Sequence, residues 1–248
     1  MIDLHNHIIR YMLPIHPRVA PDPEIAVRMA EVAAEDGARI IVSTPHFRPS
    51  HMQEDWLPRL RDAIAELNDL LAARDIPIEV VGGAEVEMSE MLPEVARKGW
   101  LPTLGESRHV LIELPIVSYA AYAEEILFKL ALQGYTPVLA HFERLALAVS
   151  QPSDPRTFVE RGYKIQVNCE SLRGKRGPQV QTLARTLVRE DLVSCLGSDA
   201  HDPDDRSPGL SVCRRDIEQL GGRGSFDRLT WDLPLEIIGQ RRGIGNRE

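Results

Sequence analysis

Cations, aromatic residues and long apolar runs are all scarce in this chain. Lys and Arg number 29 against 37 Asp and Glu, a formal net charge of −8. That balance argues against a general binder of nucleic acid or other polyanions, whose affinity rests on basic patches. No stretch approaches about 18 uninterrupted apolar residues, so no membrane span is expected. The first residues show no basic region, apolar core or small-residue cleavage site, which makes the cytoplasm the default expectation. Three cysteines, Cys169, Cys195 and Cys213, stand at wide and irregular spacings. They suggest neither a disulfide framework nor a zinc knuckle. None has an arginine six positions later (Lys175, His201 and Gln219 stand there), which excludes phosphocysteine chemistry. Aromatics make up 5% of residues, so a core drawn from the 43% apolar fraction must be mostly Leu, Ile, Val and Ala. Glycine is missing from HNHIIRYMLP, where an open doubly wound sheet would carry its phosphate loop.

What is present is a rhythm of short apolar strands and longer amphipathic segments. The strands expected are 2–8, 39–45, 78–86, 109–115, 136–141, 163–168 and 192–200. Helical patterns lie between them. The segment 23–37 has Asp22 as N-cap, Pro23 at its first position and Gly37 as its stop. The segment 55–75 carries Leu60, Ile64, Leu67 and Leu71 on one face, with Pro58 interrupting it early. Further helices are read in 89–99, 119–134, 154–162, 178–190 and 208–222, and a loop with four prolines in 13–23. Alternating strands and helices mean a mostly parallel sheet with helices outside. Seven such units in 248 residues suit one distorted (β/α)7 TIM-like barrel over 1–248, with a short C-terminal helix and tail after about 221.

Chemistry in such a barrel gathers at the carboxyl ends of the strands. Strand one carries His5 and His7, which alternation places on one side with Asp3. Strand two ends at His46, strand three carries Glu85 and strand four Glu113. Strand five ends at His141, and strand seven delivers Asp199 and His201. Each residue has an ordinary alternative: His46 as a satisfied turn residue, Glu113 as a capping acid, Asp199 as an N-cap. Together, eight imidazoles and carboxylates at one rim would repel and desolvate one another unless cations compensated them. Nitrogen and oxygen donors without thiolates suit Mn²⁺, Fe²⁺, Zn²⁺ or Co²⁺. Eight ligands exceed one open site and imply two or three metals. Arg144 and Arg206 follow His141 and His201 in loops on the same rim, where guanidinium forks could hold phosphate oxygens.

The ordered motifs HNH, TPH, GAEV, the glutamate of LIELP, AHFER and SDAH resemble the PHP (polymerase and histidinol phosphatase) family. They are most similar to its bacterial protein-tyrosine phosphatase branch of capsular and exopolysaccharide loci. WDLPLEIIGQ at 231–240 is similar to the closing helix of that family. The resemblance implies a trinuclear centre, commonly loaded with manganese, with iron, zinc, cobalt or magnesium as alternatives. Its ligands would be His5, His7, His46, Glu85, Glu113, His141, Asp199 and His201, with Arg144 and Arg206 binding phosphate. It also implies hydrolysis of a phosphotyrosyl protein, a cognate bacterial tyrosine kinase, by activated hydroxide, with a metal-bound water, Asp199 or His201 as candidate acids. Some members of the branch self-associate.

Two departures stand out. The branch's short DDG-like segment is replaced by IIRYMLPIHPRVAPD, where His16 or Asp22 could complete a metal position. Phe142 replaces the proline of the AHPER motif, a change expected on the substrate side. Rival readings are a phosphoesterase for histidinol phosphate or another small molecule, a urease-like amidohydrolase, and a metal-binding regulator without turnover.

Overall fold

A computed structural model describes residues 1–11, 22–115, 122–147 and 154–240. His16 and most of the proline-rich loop lie outside the described residues. Strand β1 (Ile2–Asn6) leads through a 3-10 turn (Ile8–Tyr11) towards helix α1 (Pro23–Glu35). Then come β2 (Ile40–Ser43), β3 (His46–Phe47), α2 (Trp56–Ala73), β4 (Glu79–Gly82), β5 (Glu85–Glu87) and α3 (Leu92–Arg97). The middle of the chain holds β6 (His109–Glu113), α4 (Tyr122–Leu132), β7 (Thr136–Leu139), a 3-10 turn (Phe142–Leu147) and α5 (Pro155–Glu160). β8 (Lys164–Asn168), α6 (Cys169–Leu172), α7 (Pro178–Arg189), β9 (Cys195–Gly197), α8 (Arg214–Gly221), α9 (Ser225–Asp227) and α10 (Leu233–Ile237) complete the fold.

The strands form a sheet ordered β1-β2-β4 and another ordered β3-β5-β6-β7-β8-β9. Every pairing between these strands is parallel. β2 and β3 form one run broken at Pro45, which cannot donate to a ladder; the strand expected over 39–45 covers β2 alone, and β3 lies just beyond it. β4 and β5 are halves of one expected strand, broken at Gly83. A Cβ on Gly83 would stand 2.9 Å from Leu104 and 3.1 Å from Val42, so only glycine lets the chain cross there. Counting each broken strand once gives the seven strands expected. β1 meets the segment that follows β9 at the Asn6–Ala200 bridge, with Asp199 N donating to His5 O at 2.7 Å and His7 N to Ala200 O at 2.9 Å.

Three apolar clusters fill the fold. One lies inside the curled sheet, where Ile2, Leu4, Val42, Leu111, Val138 and Cys195 meet Leu235 and Ile237 of α10. That helix closes the end where β6 begins, with Ile238 O accepting from Glu106 N at 3.1 Å. A second packs α1 and α2 on β2 and β4, and the third packs α3, α4, α7 and α8 on β5 to β9. Each wholly buried Leu or Ile contributes about 1.5–3 kcal/mol relative to exposure.

Local details follow from the sequence with three differences. Asp22 accepts a hydrogen bond from Glu24 N and caps α1, with Pro23 at the first position. Pro58 does not interrupt α2: it sits in the first turn, where backbone N–H groups have no helical acceptor to lose. Phe142 is not on the substrate side; it is buried and meets Phe158 edge to face at 5.5 Å. The cysteines differ too, for Cys169 is bonded to Cys213 across 44 residues of sequence. Wide spacing hid a pair that folding brings within 5.5 Å between Cα atoms. Among the described residues no helix is long and apolar enough to cross a membrane.

Candidate metal centre

The carboxyl ends of the strands bring all eight expected donors together. His5 and His7 lie at the end of β1 with their Nε2 atoms 3.2 Å apart. The β3–β5 register pairs His46 with Glu85, and His46 Nδ1 lies 2.9 Å from Glu85 Oε2. His5 Nε2 and His7 Nε2 are 3.5 and 3.3 Å from the same oxygen. His141 Nε2 lies 2.7 Å from Glu85 Oε1 and 3.5 Å from Glu113 Oε1. On the other side, Asp199 Oδ1 is 3.3 Å from His7 Nε2 and 3.5 Å from His201 Nδ1.

Three overlapping groups emerge: His7, His46 and His201; His5, His7 and Asp199; and His46, Glu85 and Glu113. Within each, one ligand atom from every residue lies within 4.8 Å of the others. The shared histidines make the groups neighbours, as a multi-metal cluster requires. Glu85 Oε2 is buried without a hydrogen-bond donor although three imidazoles surround it. An orphaned carboxylate oxygen among crowded imidazoles is the environment a divalent cation completes. The residues therefore fit a metal centre. Asp22 belongs to none of these groups; it is exposed and occupied in capping α1.

Several features aim the ligands. His5 Nδ1 donates to Gln166 Oε1 at 3.1 Å, which leaves Nε2 as the lone pair facing the cluster. His201 Nδ1 donates to Asp199 O at 2.9 Å and likewise frees Nε2. Gln166 Oε1 also accepts from His141 N at 2.7 Å, and its Nε2 donates to Asn168 Oδ1 at 2.7 Å. Asn168 Nδ2 then donates to Asp199 Oδ2 at 3.1 Å, while Asn168 N donates to buried Glu143 at 3.1 Å. Asp3 does not join His5 and His7. The β1 register shifts between Asp3 and Asn6, and the Asp3 carboxylate accepts from Ser198 N and Oγ on the facing segment. His141 and Asp199 have φ of 30° and 55°. Such left-handed backbone in non-glycine residues is costly and concentrates at functional sites.

Charge is equally organised. Arg144 Nη2 donates to Asp199 Oδ2, and Arg206 Nη2 lies 2.9 Å from Asp199 Oδ1. Burial opposes ionisation of Asp199, but His5, His7 and Arg144 hold its carboxyl well below the usual range. Burial likewise opposes ionisation of Glu85, and His5, His141 and His46 prevail. Burial lowers the His5 pKa, yet Glu85 and Asp199 lift it to about 9. His201 moves the other way, driven down by burial and by its neighbour His7. Burial and the Glu85 charge raise Glu113 to about 7. These opposed shifts describe carboxylates and imidazoles that exchange charge until cations replace the protons. A cavity of about 870 Å³ lies elsewhere, between α2 and the 99–108 loop, and includes none of these donors.

Residues 1–239 match a family profile described as capsular polysaccharide synthesis, CpsB/CapC. The chain belongs to the CpsB/CapC family. Its CpsB/CapC relatives include tyrosine-protein phosphatase YwqE of Bacillus subtilis, 34% identical over 81% of this chain and 77% of that protein. Tyrosine-protein phosphatase CpsB of Streptococcus pneumoniae is 28% identical over 96% of this chain and 98% of the relative. A solved structure from the work on those two proteins, described as unique metal-dependent tyrosine phosphatases, superposes with a TM-score of 0.85 and 31% identity. That match covers 97% of this chain and 96% of the solved one. Histidinol phosphate phosphatase of Lactococcus lactis shares the fold alone, at TM-score 0.55 and 14% identity over 89% of this chain and 93% of that one.

Sequence reasoning missed Gln166, Asn168 and Glu143, which position ligands without touching the cluster centre. The signal available was polarity inside an otherwise apolar strand: KIQVN places Gln166 and Asn168 on one face of β8. It also missed Arg176, whose charged neighbours include Arg144, Arg206 and Asp199.

Proposed function

We propose that this CpsB/CapC protein is a metal-dependent phosphatase that hydrolyses phosphotyrosine on proteins, with a bacterial tyrosine kinase as its partner. The observation that carries this is the convergence of eight nitrogen and oxygen donors with two arginines that share Asp199. His5, His7, His46, Glu85, Glu113, His141, Asp199 and His201 would hold two or three divalent ions, manganese foremost. Bound there, such ions lower the pKa of water and neutralise phosphoryl charge.

The remaining work falls to the chain itself. Arg144 and Arg206 clamp the non-bridging phosphoryl oxygens and meet the charge that grows as the ester bond breaks. Arg144 Nε and Arg206 Nε are buried donors without an acceptor, so each guanidinium has capacity beyond Asp199. Asp199 keeps both side chains in place and stays ionised. Gln166 and His201's own backbone contact fix the imidazole tautomers. A phenolate leaving group departs with little protonation, which suits a site whose Asp199 and Glu85 are held charged.

The test is removal of metal by chelation, elemental analysis, and reloading with manganese. Phosphate release is then compared on a phosphotyrosyl peptide, histidinol phosphate and an amide panel. We expect at least two metals per chain and preference for the peptide. Fewer than one metal per chain with no phosphate release after reloading would overturn the reading. Preference for histidinol phosphate would keep the chemistry and replace the substrate.

A further inference from the structure

Arg176 lies in the turn between α6 and α7, bounded by Gly174 and Gly177, whose φ of 83° and 93° reverse the chain there. The turn is fixed: Gly177 N donates to Gly174 O at 3.0 Å, and Lys175 N to Glu170 O at 3.2 Å. Lys175 is neutralised by Glu170. On one side α7 packs against the 3-10 turn that carries Arg144. On the other, Cys169 at the start of α6 is tied to Cys213 and approaches Leu210 O, in the segment that follows Arg206. The turn thereby joins two helices, one packed on the segment that carries Arg144 and the other tied to the segment that follows Arg206. Arg176 is exposed, and its charged neighbours are Arg144, Arg206, Asp199 and Glu170.

Its two cationic neighbours are each bonded to Asp199, whereas no hydrogen bond or ion pair engages the Arg176 guanidinium among the described residues. Asp199 thus answers two guanidiniums, and the third, Arg176, stands near them with only Asp199 and Glu170 as anionic neighbours. Further anionic charge beside Arg176 relieves their mutual repulsion. Arg144 and Arg206 are part-buried beside the cluster and take the phosphoryl oxygens. Arg176, further out, meets whatever the substrate carries beside its phosphotyrosine. We propose that Arg176 is a specificity-determining residue that binds a second anionic group, a carboxylate or a second phosphate, within a residue or two of the phosphotyrosine in the substrate peptide. This rests on the phosphatase reading above. An extended peptide advances about 3.3–3.6 Å per residue, so one or two residues carry a flanking side chain only a few ångströms along the rim from the phosphotyrosine.

The experiment uses the metal-loaded full chain and three phosphotyrosyl peptides that differ only in flanking residues: Asp and Glu, a second phosphotyrosine, or Asn and Gln. Wild-type kcat/KM should favour the two anionic peptides over the neutral one by about threefold to tenfold at low salt, the range of an exposed to part-buried charge pair. The preference should lie in KM and shrink as salt screens it. Arg176→Gln should bring the ratio to about one, and Arg176→Lys should restore part of it. A wild-type ratio near one, or a ratio unchanged in Arg176→Gln, would overturn the proposal. Preference for one anionic peptide alone identifies carboxylate or phosphate as the recognised group. Binding of non-hydrolysable phosphonate versions separates the two readings. An intact binding ratio without turnover on any peptide sinks the phosphatase assignment and leaves Arg176 in its role.

Discussion

An alanine at position 197 would place its methyl carbon 2.6 Å from His5 Cβ and 2.8 Å from Gln166 Nε2. One atom is the root of a ligand side chain, and the other is the amide end of Gln166, held in place by its bonds to His5, His141 N and Asn168. Moving from 2.6 Å to an ordinary 3.4 Å contact requires β9 and β1 to part by about 0.8 Å. Metal–ligand distances tolerate only about ±0.2 Å, so His5 would leave its position. Disturbing the orienting shell of a ligand typically costs about 10- to 100-fold in metal affinity. Overpacking itself should cost about 1–3 kcal/mol of stability. Both quantities are measurable on the same preparation, by manganese titration of chelated protein with equilibrium dialysis and by urea unfolding without metal. We expect Gly197→Ala to fail in both. Full metal affinity alongside reduced stability would show that His5 does not ligate, and no change in either would refute the packing argument.

Three further outcomes are expected. Arg206→Ala should lower kcat by about 10²–10³-fold with full metal content, and unaltered turnover would remove the phosphate clamp. His109 has a buried Nδ1 without a partner, and burial with the nearby Lys164 lowers its pKa below 6.5. The unfolded chain therefore binds this proton first as pH falls. Stability should be full above pH 6.5 and decline below it, with at most about 1.4 kcal/mol per pH unit from this group. His109→Gln should flatten the decline in urea unfolding, and identical slopes would contradict the sign. Thiol titration of denatured, unreduced protein should find Cys195 alone, and three thiols after reduction. Reduction should cost up to about 4 kcal/mol for a loop of 44 residues, and three thiols before reduction would dispose of the Cys169–Cys213 bond.

The polar residues that end strands were legible because a barrel converts one kind of position into one place. His5, His46, Glu85, His141 and Asp199 are far apart in sequence, and parallel strands deliver them to one rim. Strand breaks were half-legible: Pro45 and the Gly82–Gly83 pair mark them, but apolar continuity reads across both. Gln166 was illegible because a glutamine within a strand looks the same whether it faces solvent or orients a ligand. Arg176 reads as a solvated loop residue until the packing of α7 places its turn beside Arg144. Phe142 was misplaced because a departure within a motif was assigned to the motif's function, while its ring had joined the core.

The contact between β1 and β9 has a consequence for the order in which this protein is made. Asp3 and its partner Ser198 are separated by 195 positions, and His5 faces Asp199 across a similar interval. A growing chain makes β1 long before β9. Until then His5 and His7 lack the carboxylate on one side of them, and closing so long a loop is among the slowest steps a chain takes. The catalytic rim is therefore not a feature added to a finished scaffold; it comes into being at the moment the two ends of the sheet meet.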